Sequence, residues 1–199
     1  MSGNEDIRKN IIEATRKLIA KKTSITIRDI ADACFVNVAA VNYYFGSKDR
    51  LLAIVLEEMI EEIKISIVET LNAFPKSHPV ENILESMINL IYSYAIGNLG
   101  VIGYLFMNVE NRELASKLFV DAFFKEGDFK QMVFQMMKEA SDIQDESSLY
   151  ARYIMLFSCF CIPLVIQILS DPESGSGLEV LTSEKFKQQY IEELMKMIR

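Results

Sequence analysis

Hydrophobic residues recur every three or four positions along nearly the whole chain, a spacing that predicts amphipathic α-helices. No pair of strand-like segments with turn residues between them is evident. The first helix is predicted to start near the N-terminus and to end around residues 20–24. Its apolar face comprises Ile7, Ile11, Ile12, Leu18 and Ile19. The pattern therefore predicts an all-α fold.

Helix start and stop signals divide the next segment into two short helices. Thr26 with Asp29 three residues later is a capping-box variant that predicts the start of a second helix, and Cys34 lies at its end. Asn37 is a favourable N-cap for a third helix, and Gly46 is its predicted C-terminal stop. Two short helices joined by a three-residue turn have the dimensions of a helix-turn-helix.

Longer helices are predicted in the rest of the chain. The fourth begins after the cap Ser47 and runs to about Phe74, and Pro79 opens a fifth, which the sequence "GNLG" interrupts. Further helices are predicted over 112–140, with Gly127 as a point where the helix could be disturbed, from Ser148 onward, and over 184–198. The sequence "SDPESGSG" predicts a loop.

Charge is distributed unevenly, and this points to a partner for the N-terminal part. The net charge is −7, yet residues 1–50 hold nine Lys/Arg against six Asp/Glu, a surplus of +3. The remainder holds 12 basic against 22 acidic residues, which leaves it at −10. A basic N-terminal segment in an otherwise acidic chain favours local attraction to phosphate.

The third helix has the residue types of a DNA-reading helix. Val38, Val41 and Phe45 are predicted to face inward, which leaves small and hydrogen-bonding side chains on the other face. Lys48 adds its charge to the N-terminus of the fourth helix, where a phosphate is favoured. The sequence "TIRDIADACFVNVAAVNYYFGSKDRLL" resembles the helix-turn-helix of the TetR family of transcriptional regulators. The matching residues are Thr26, Ile30, Ala31, Val36, Val41, Tyr44, Phe45, Lys48 and Leu51.

Two residues depart from the family pattern: Phe35 stands where glycine is common, and Asn42 where tyrosine is usual. The resemblance implies an N-terminal three-helix DNA-binding domain, residues 1–46, followed by a larger helical ligand-binding and dimerisation domain, residues 47–199. It also implies which residues face DNA. These are Arg28, Asn37, Val38, Ala39, Ala40, Asn42, Tyr43, Tyr44 and Lys48.

Residues 75–170 are rich in Phe, Met and Tyr, which suit either an adaptable ligand pocket or an ordinary core. The family resemblance implies a cavity among the helices after residue 80 that takes a small-molecule effector. The candidate lining residues are Tyr92, Phe106, Phe123, Met132, Met136 and Phe160.

The run "IMLFSCFCIPLVIQIL", residues 154–169, is apolar on all sides. Its 16 residues fall short of the roughly 20 that a membrane span needs, and it contains Pro163. Because such a helix must be covered on both sides, we expect a homodimer built with the helix at 184–198 and no membrane partner. The candidate interface residues are Leu164, Ile168, Tyr190 and Leu194.

The remaining chemistry argues against catalysis. There is one histidine, and no glycine-rich phosphate loop or metal-ligand spacing is present, so we predict no enzyme activity, no cofactor and no metal. Three cysteines and no apolar leader favour a cytoplasmic protein. The sequence therefore predicts a repressor that a small apolar or amphipathic effector releases from a palindromic double-stranded DNA operator. The alternative is a helical small-molecule carrier with a vestigial helix-turn-helix.

Overall fold

The structure, a computed structural model, describes residues 2–22, 24–75, 78–106, 112–141, 143–169, 181 and 183–198. These residues contain ten α-helices and no β-strand, which confirms the predicted all-α fold. The helices are α1 (Ser2–Lys21), α2 (Ile27–Cys34), α3 (Val38–Phe45), α4 (Lys48–Asn72), α5 (Val80–Gly97), α6 (Leu99–Phe106), α7 (Arg112–Phe123), α8 (Asp128–Ala140), α9 (Glu146–Leu169) and α10 (Glu184–Ile198).

The chain divides into two compact units. The first contains residues 1–61 and 98–122, and the second contains residues 62–97 and 123–199. In the first, α1 packs on α2 and α6, and α2 packs on α3. In the second, α5 packs on α8, α9 and α10, and α9 also contacts α8 and α10. The functional domains 1–46 and 47–199 stay a prediction, since packing units describe compactness and not activity.

The buried face of α1 begins later than its apolar pattern suggested. Ile11 and Ile19 are fully buried, whereas Ile7 is 39% exposed, so the N-terminal end of the apolar face is not buried. Thr15 continues the buried face, and its hydroxyl donates to the Ile11 carbonyl at 2.7 Å. This bond satisfies the hydroxyl locally and allows a polar residue in the core.

Helix α6 approaches the C-terminal end of α1 at a glycine. A Cβ atom at Gly100 would lie 2.0 Å from the carbonyl oxygen of Ile19 and 2.8 Å from that of Lys22. Both neighbours are main-chain atoms, so no side-chain rotation could relieve the overlap. The close approach of these two helices therefore requires the absence of a side chain at this position.

An aromatic cluster fills part of the second unit around Tyr153, which is fully buried. The Tyr153 hydroxyl donates to the Phe123 carbonyl, and burial raises the pKa of this phenol. Lys130 is also buried there, with its amine bound to the Glu126 carboxylate and positioned over the Phe134 ring. The other rings of the cluster belong to Phe124, Phe129, Tyr150 and Phe157.

Several helix limits differ from the predicted ones. Helix α4 ends at Asn72, two residues before Phe74, and the predicted helix over 112–140 is two helices, the second of which starts directly after Gly127. Helix α9 begins at Glu146 because the Asp145 carboxylate accepts the N–H of Ser148 at 2.8 Å and caps it. The segment "SDPESGSG" lies outside the described residues.

Candidate nucleic-acid interface and ligand crevice

The start of α2 is fixed by reciprocal hydrogen bonds. The Thr26 hydroxyl accepts the N–H of Asp29 at 3.1 Å, while the Asp29 carboxylate accepts the N–H of Thr26 at 2.6 Å. Hydrogen bonds from the Thr26 side chain and backbone hold the pKa of Asp29 below its ordinary value. The predicted capping box is present, and it fixes where the first helix of the motif begins.

The turn between α2 and α3 has the bonds of a Schellman motif. The N–H of Val36 donates to the Ala31 carbonyl at 3.0 Å, and the N–H of Phe35 donates to the Asp32 carbonyl at 3.3 Å. Phe35 has the left-handed φ of 58° that glycine adopts most easily, and its side chain is 96% exposed. The turn therefore keeps the glycine-type geometry although the residue is phenylalanine.

Helix α3 is capped at both ends and has two distinct faces. The Asn37 side chain accepts the N–H of Ala40 at 2.7 Å, and Gly46, with φ 77°, donates its N–H to the Asn42 carbonyl at 2.8 Å. Val41 and Phe45 are buried against the rest of the unit. The opposite face of this eight-residue helix is consequently turned outward.

The predicted DNA-facing residues divide by exposure. Arg28, Asn37, Ala39 and Asn42 are exposed, and Tyr43 is 79% exposed, so these side chains are accessible to a partner. The half-buried members of the set are Val38, Ala40, Tyr44 and Lys48.

The two half-buried polar members each contact another part of the first unit. The Tyr44 hydroxyl donates to the Asn4 side-chain oxygen at 2.6 Å, and its ring meets that of Tyr43 edge-on at 5.3 Å. The Lys48 amine donates to the Ile25 carbonyl at 3.3 Å, directly before the cap of α2. The Asn4 contact was missed at the sequence level, because an exposed asparagine 40 residues away carries no local signal.

A narrow crevice lies between α5, α9 and α10 in the second unit, with a volume of about 10 Å³, which is room for about one water molecule. Two predicted pocket residues, Tyr92 and Phe160, line it. The full lining is Tyr92, Ala95, Ile96, Cys159, Phe160, Pro163, Leu164, Leu181 and Tyr190.

The other predicted pocket residues do not line this crevice. Phe123 belongs to the aromatic cluster, and the side chain of Phe106 lies outside the described part of the chain. Met132 and Met136 are only half-buried, because the buried positions of α8 lie one residue further along the helix. Those positions are Lys130, Val133, Met137 and Ala140.

Both tyrosine hydroxyls at the crevice are bound to main-chain carbonyls. Tyr92 donates to Leu181 at 2.7 Å, and Tyr190 donates to Cys159. Burial raises the pKa of Tyr92, and burial with the nearby Cys159 and Tyr92 raises the pKa of Tyr190 to about 12. Both phenols are therefore neutral donors near pH 7, and neither offers a free charge to a ligand.

Two of the four predicted interface residues lie inside the chain. Leu164 and Leu194 are buried within the chain, Tyr190 lines the crevice, and Ile168 is half-buried. A residue already buried in its own chain cannot present a surface to a second copy. The large exposed apolar side chains of α9 are Tyr150, Ile154, Met155, Ile162, Ile166 and Leu169, and we call this group the α9 stripe. Helix α10 adds Met197.

The described residues hold no cluster of histidine, cysteine, aspartate and glutamate suited to a metal ion. Cys34 is buried and its thiol contacts the Ile30 carbonyl. Burial raises the pKa of Cys159, and that of Cys161 to about 11, so these thiols stay protonated near pH 7. These cysteines are therefore inert packing residues rather than nucleophiles.

Residues 11–55 match the family model described as bacterial regulatory proteins, tetR family. A search of curated protein sequences gave no significant match. Solved structures share the fold along nearly the whole chain, and three of them illustrate it.

The transcriptional regulator FadR from Bacillus subtilis, solved with stearoyl-CoA, has a TM-score of 0.66 and 14% identity, and the alignment covers 96% of this chain and 99% of that one. A TetR-family regulator from Mesorhizobium loti has a TM-score of 0.69 and 13% identity, with 100% and 96% covered. RolR in complex with resorcinol has a TM-score of 0.57 and 13% identity, with 98% and 88% covered. All three are under 25% identical to this chain, so the likeness is one of fold.

Proposed function

We propose that the chain is a cytoplasmic, ligand-responsive repressor of a palindromic operator, because it shares the fold of TetR-family transcriptional regulators and its residues 11–55 match the tetR family model. The observation that carries this proposal is helix α3. It is capped at both ends, buried on one face through Val41 and Phe45, and exposed on the other through Asn42 and Tyr43. A carrier with a vestigial helix-turn-helix would have no need of this preserved exposed face.

In this proposal α3 enters the major groove and its exposed face reads the bases. Asn42 can bond the edge of adenine, and the Ala39 methyl can contact a thymine methyl. Arg28, in the first turn of α2, is accessible to the phosphate backbone. Asn37 uses its side-chain oxygen to cap α3, so only its amide N–H groups are available to DNA.

Lys48 has a second role in the unbound protein. Its amine holds the Ile25 carbonyl at the entry to α2 and lies at the first residue of α4, where the helix dipole favours an anion. A phosphate placed there meets the lysine charge and the positive end of the helix dipole together. Lys48 therefore supports the position of α2 and supplies a phosphate contact that is independent of base sequence.

Substitution of Lys48 and of Asn42 is expected to distinguish a contact with the DNA backbone from a contact with a base. Lys48→Ala should weaken binding to specific and random DNA alike and lower the salt slope by about one unit. Asn42→Ala should cost about 1–3 kcal/mol on the operator and relax the preference at a single base pair. Both would be measured by fluorescence anisotropy over a salt series on operator and scrambled duplexes.

Lys185→Ala, an exposed lysine on α10, is the matched charge control and should leave the affinity and the slope unchanged. Unchanged operator affinity in both the Lys48 and Asn42 variants would place DNA recognition elsewhere on the protein. A wild-type protein that ignores all DNA but binds a small molecule would favour the carrier.

A homodimer accounts for the surface of α9. The expectation that this segment is too short to span a membrane was wrong, because α9 has 24 residues and passes by length and hydropathy. Only 22% of its most apolar window is buried within the chain. The exposed α9 stripe gives a second copy an apolar face to cover, and two-fold symmetry then matches a palindromic operator. We therefore assign this face to self-association and not to a membrane.

Effector control is supported by chain connectivity. Helix α5 lines the crevice, α6 follows it after the single residue Asn98, and α6 packs on α1 through Gly100. A small molecule that alters α5 can in this way bias the unit that contains the helix-turn-helix. The complexes of FadR with stearoyl-CoA and of RolR with resorcinol support a small-molecule effector, without favouring one size of ligand.

Linkage makes this coupling measurable. A coupling free energy of about 1–3 kcal/mol weakens operator binding about 5–150-fold, and the operator must weaken effector binding by the same factor. For any compound that releases the operator, calorimetric titration with and without saturating operator duplex should give that ratio. Identical compound affinity in the two titrations would rule out effector-driven release by that compound.

A further inference from the structure

Pro163 lies inside α9 and leaves a main-chain acceptor without its helical donor. A proline has no N–H, so the carbonyl four residues before it, that of Cys159, lacks the usual bond from residue 163. The hydroxyl of Tyr190 on α10 donates to this same carbonyl. The interruption in one helix is therefore satisfied by a side chain from the next.

The acceptor, the proline and the tyrosine all line the crevice between α5, α9 and α10. Among the described lining residues, the one other hydroxyl, that of Tyr92, is bound to the Leu181 carbonyl. None of the nine lining residues carries a charged side chain. The described lining is consequently apolar, with two main-chain acceptors that tyrosine hydroxyls satisfy, of which that of Cys159 is the one left open inside a helix by a proline.

These features define a class of ligand. A buried charge without a partner is strongly disfavoured, so the ligand must be uncharged. The crevice itself has room for about one water molecule, so a ligand must be small and must take the space that a side chain gives up. An apolar molecule bearing one hydroxyl group would satisfy the acceptor, whereas a purely apolar molecule that displaced Tyr190 would leave it unsatisfied.

Tyr190 is placed so that it can be exchanged. It is half-buried, and its ring stacks on that of Phe186 at 5.5 Å one turn earlier in α10. Rotation of this side chain toward the mouth vacates a ring-shaped space next to the Cys159 carbonyl. A phenol-like ligand can then occupy the volume and the hydrogen bond that the tyrosine gives up.

We propose that this crevice binds a small uncharged ring compound whose hydroxyl donates to the Cys159 carbonyl in competition with Tyr190. As the effector site, it rests on the proposed function and assigns a chemical class to the effector. Binding would also release the bond that joins α10 to α9, the helices that carry the proposed dimer surface.

The test uses phenol and toluene as probes, because they share shape and differ in the hydroxyl group. Both are titrated into the full-length protein by calorimetry, without DNA. The wild-type protein should bind phenol more tightly than toluene. Tyr190→Phe removes the competing donor and should raise phenol affinity about three- to tenfold, as expected for one hydrogen bond, while toluene affinity stays within about twofold.

Pro163→Ala provides the complementary change, since it restores an N–H that can occupy the Cys159 carbonyl. In the double variant with Tyr190→Phe, the preference for phenol over toluene should fall to about one. Phe129→Leu, in the separate aromatic cluster, is the location control and should leave both affinities unchanged. Far-UV circular dichroism would verify that each variant is folded.

The wild-type comparison alone can overturn the proposal, so it does not depend on any variant folding. Equal affinities for phenol and toluene, or no phenol binding at millimolar concentration, would show that no ligand hydroxyl donates to the Cys159 carbonyl. A phenol preference that persists in the double variant would place the site elsewhere. Operator affinity is measured separately, so a failure of DNA binding is distinguishable from a failure of this site.

Discussion

Glutamate at both Ile162 and Ile166 is expected to convert the proposed homodimer into a folded monomer and to abolish operator binding. These two side chains lie one turn apart on α9 and are 58% and 45% exposed in the single chain. The monomer core is therefore undisturbed, whereas the dimer would have to bury four unpaired carboxylates across the two copies. Each such charge costs several kcal/mol, so the dimer dissociation constant should rise at least about a thousandfold.

Sedimentation velocity would report the molecular mass, and anisotropy on the operator duplex would report the loss of two-site binding. Ile65→Glu is the matched control, because Ile65 is 49% exposed on α4, a different helix of the same unit. It should remain dimeric and bind DNA. If the double variant sediments as a dimer while folded, the α9 stripe is not the contact between copies.

Alanine at Gly100 is expected to destabilise the protein by about 3 kcal/mol or more, the upper end of overpacking effects. The added Cβ would lie 2.0 Å from the Ile19 carbonyl oxygen, which only movement of α6 or α1 can relieve. For a chain of this length, such a loss lowers the melting temperature by about 6–12 °C. Thermal unfolding followed by circular dichroism measures it directly.

Gly97 supplies the control at the adjacent helix end. A Cβ there would meet no atom within 4 Å, so Gly97→Ala should be neutral or stabilise by up to about 1 kcal/mol through higher helix propensity. The contrast between two glycines three residues apart separates the steric effect of the added Cβ from the effect of alanine's helix propensity. Equal melting temperatures for the two variants would mean that α6 does not press on α1.

Local signals were sufficient to predict the short helices of the first unit. Thr26, Asn37 and Gly46 each form a hydrogen bond within four residues along the chain, so the information for a cap lies within a short window. The limits of α2 and α3 and the exposed face of α3 follow from these bonds and from the buried positions Val41 and Phe45.

Packing between segments that are distant in the sequence could not be predicted from local signals. Leu164 lies on a helix that is apolar all round, so periodicity does not distinguish the face toward its own chain from the face toward solvent. Met132 and Met136 illustrate the same limit on α8. The proline at 163 signals an unsatisfied carbonyl, but its donor, Tyr190, lies 31 residues beyond Cys159 in sequence. The close neighbour of Gly100 is Ile19, which is much further away in the sequence.

The turn between α2 and α3 has a consequence for how such motifs are detected. Its shape comes from the main-chain bonds to Ala31 and Asp32, and the Phe35 side chain is almost entirely in solvent. Any residue that accepts a left-handed backbone, at a cost of about 1–2 kcal/mol for one with a Cβ, can therefore occupy the position. A search pattern that demands glycine there would pass over domains like this one, whereas a pattern built on the caps at Thr26 and Asn37 would find them.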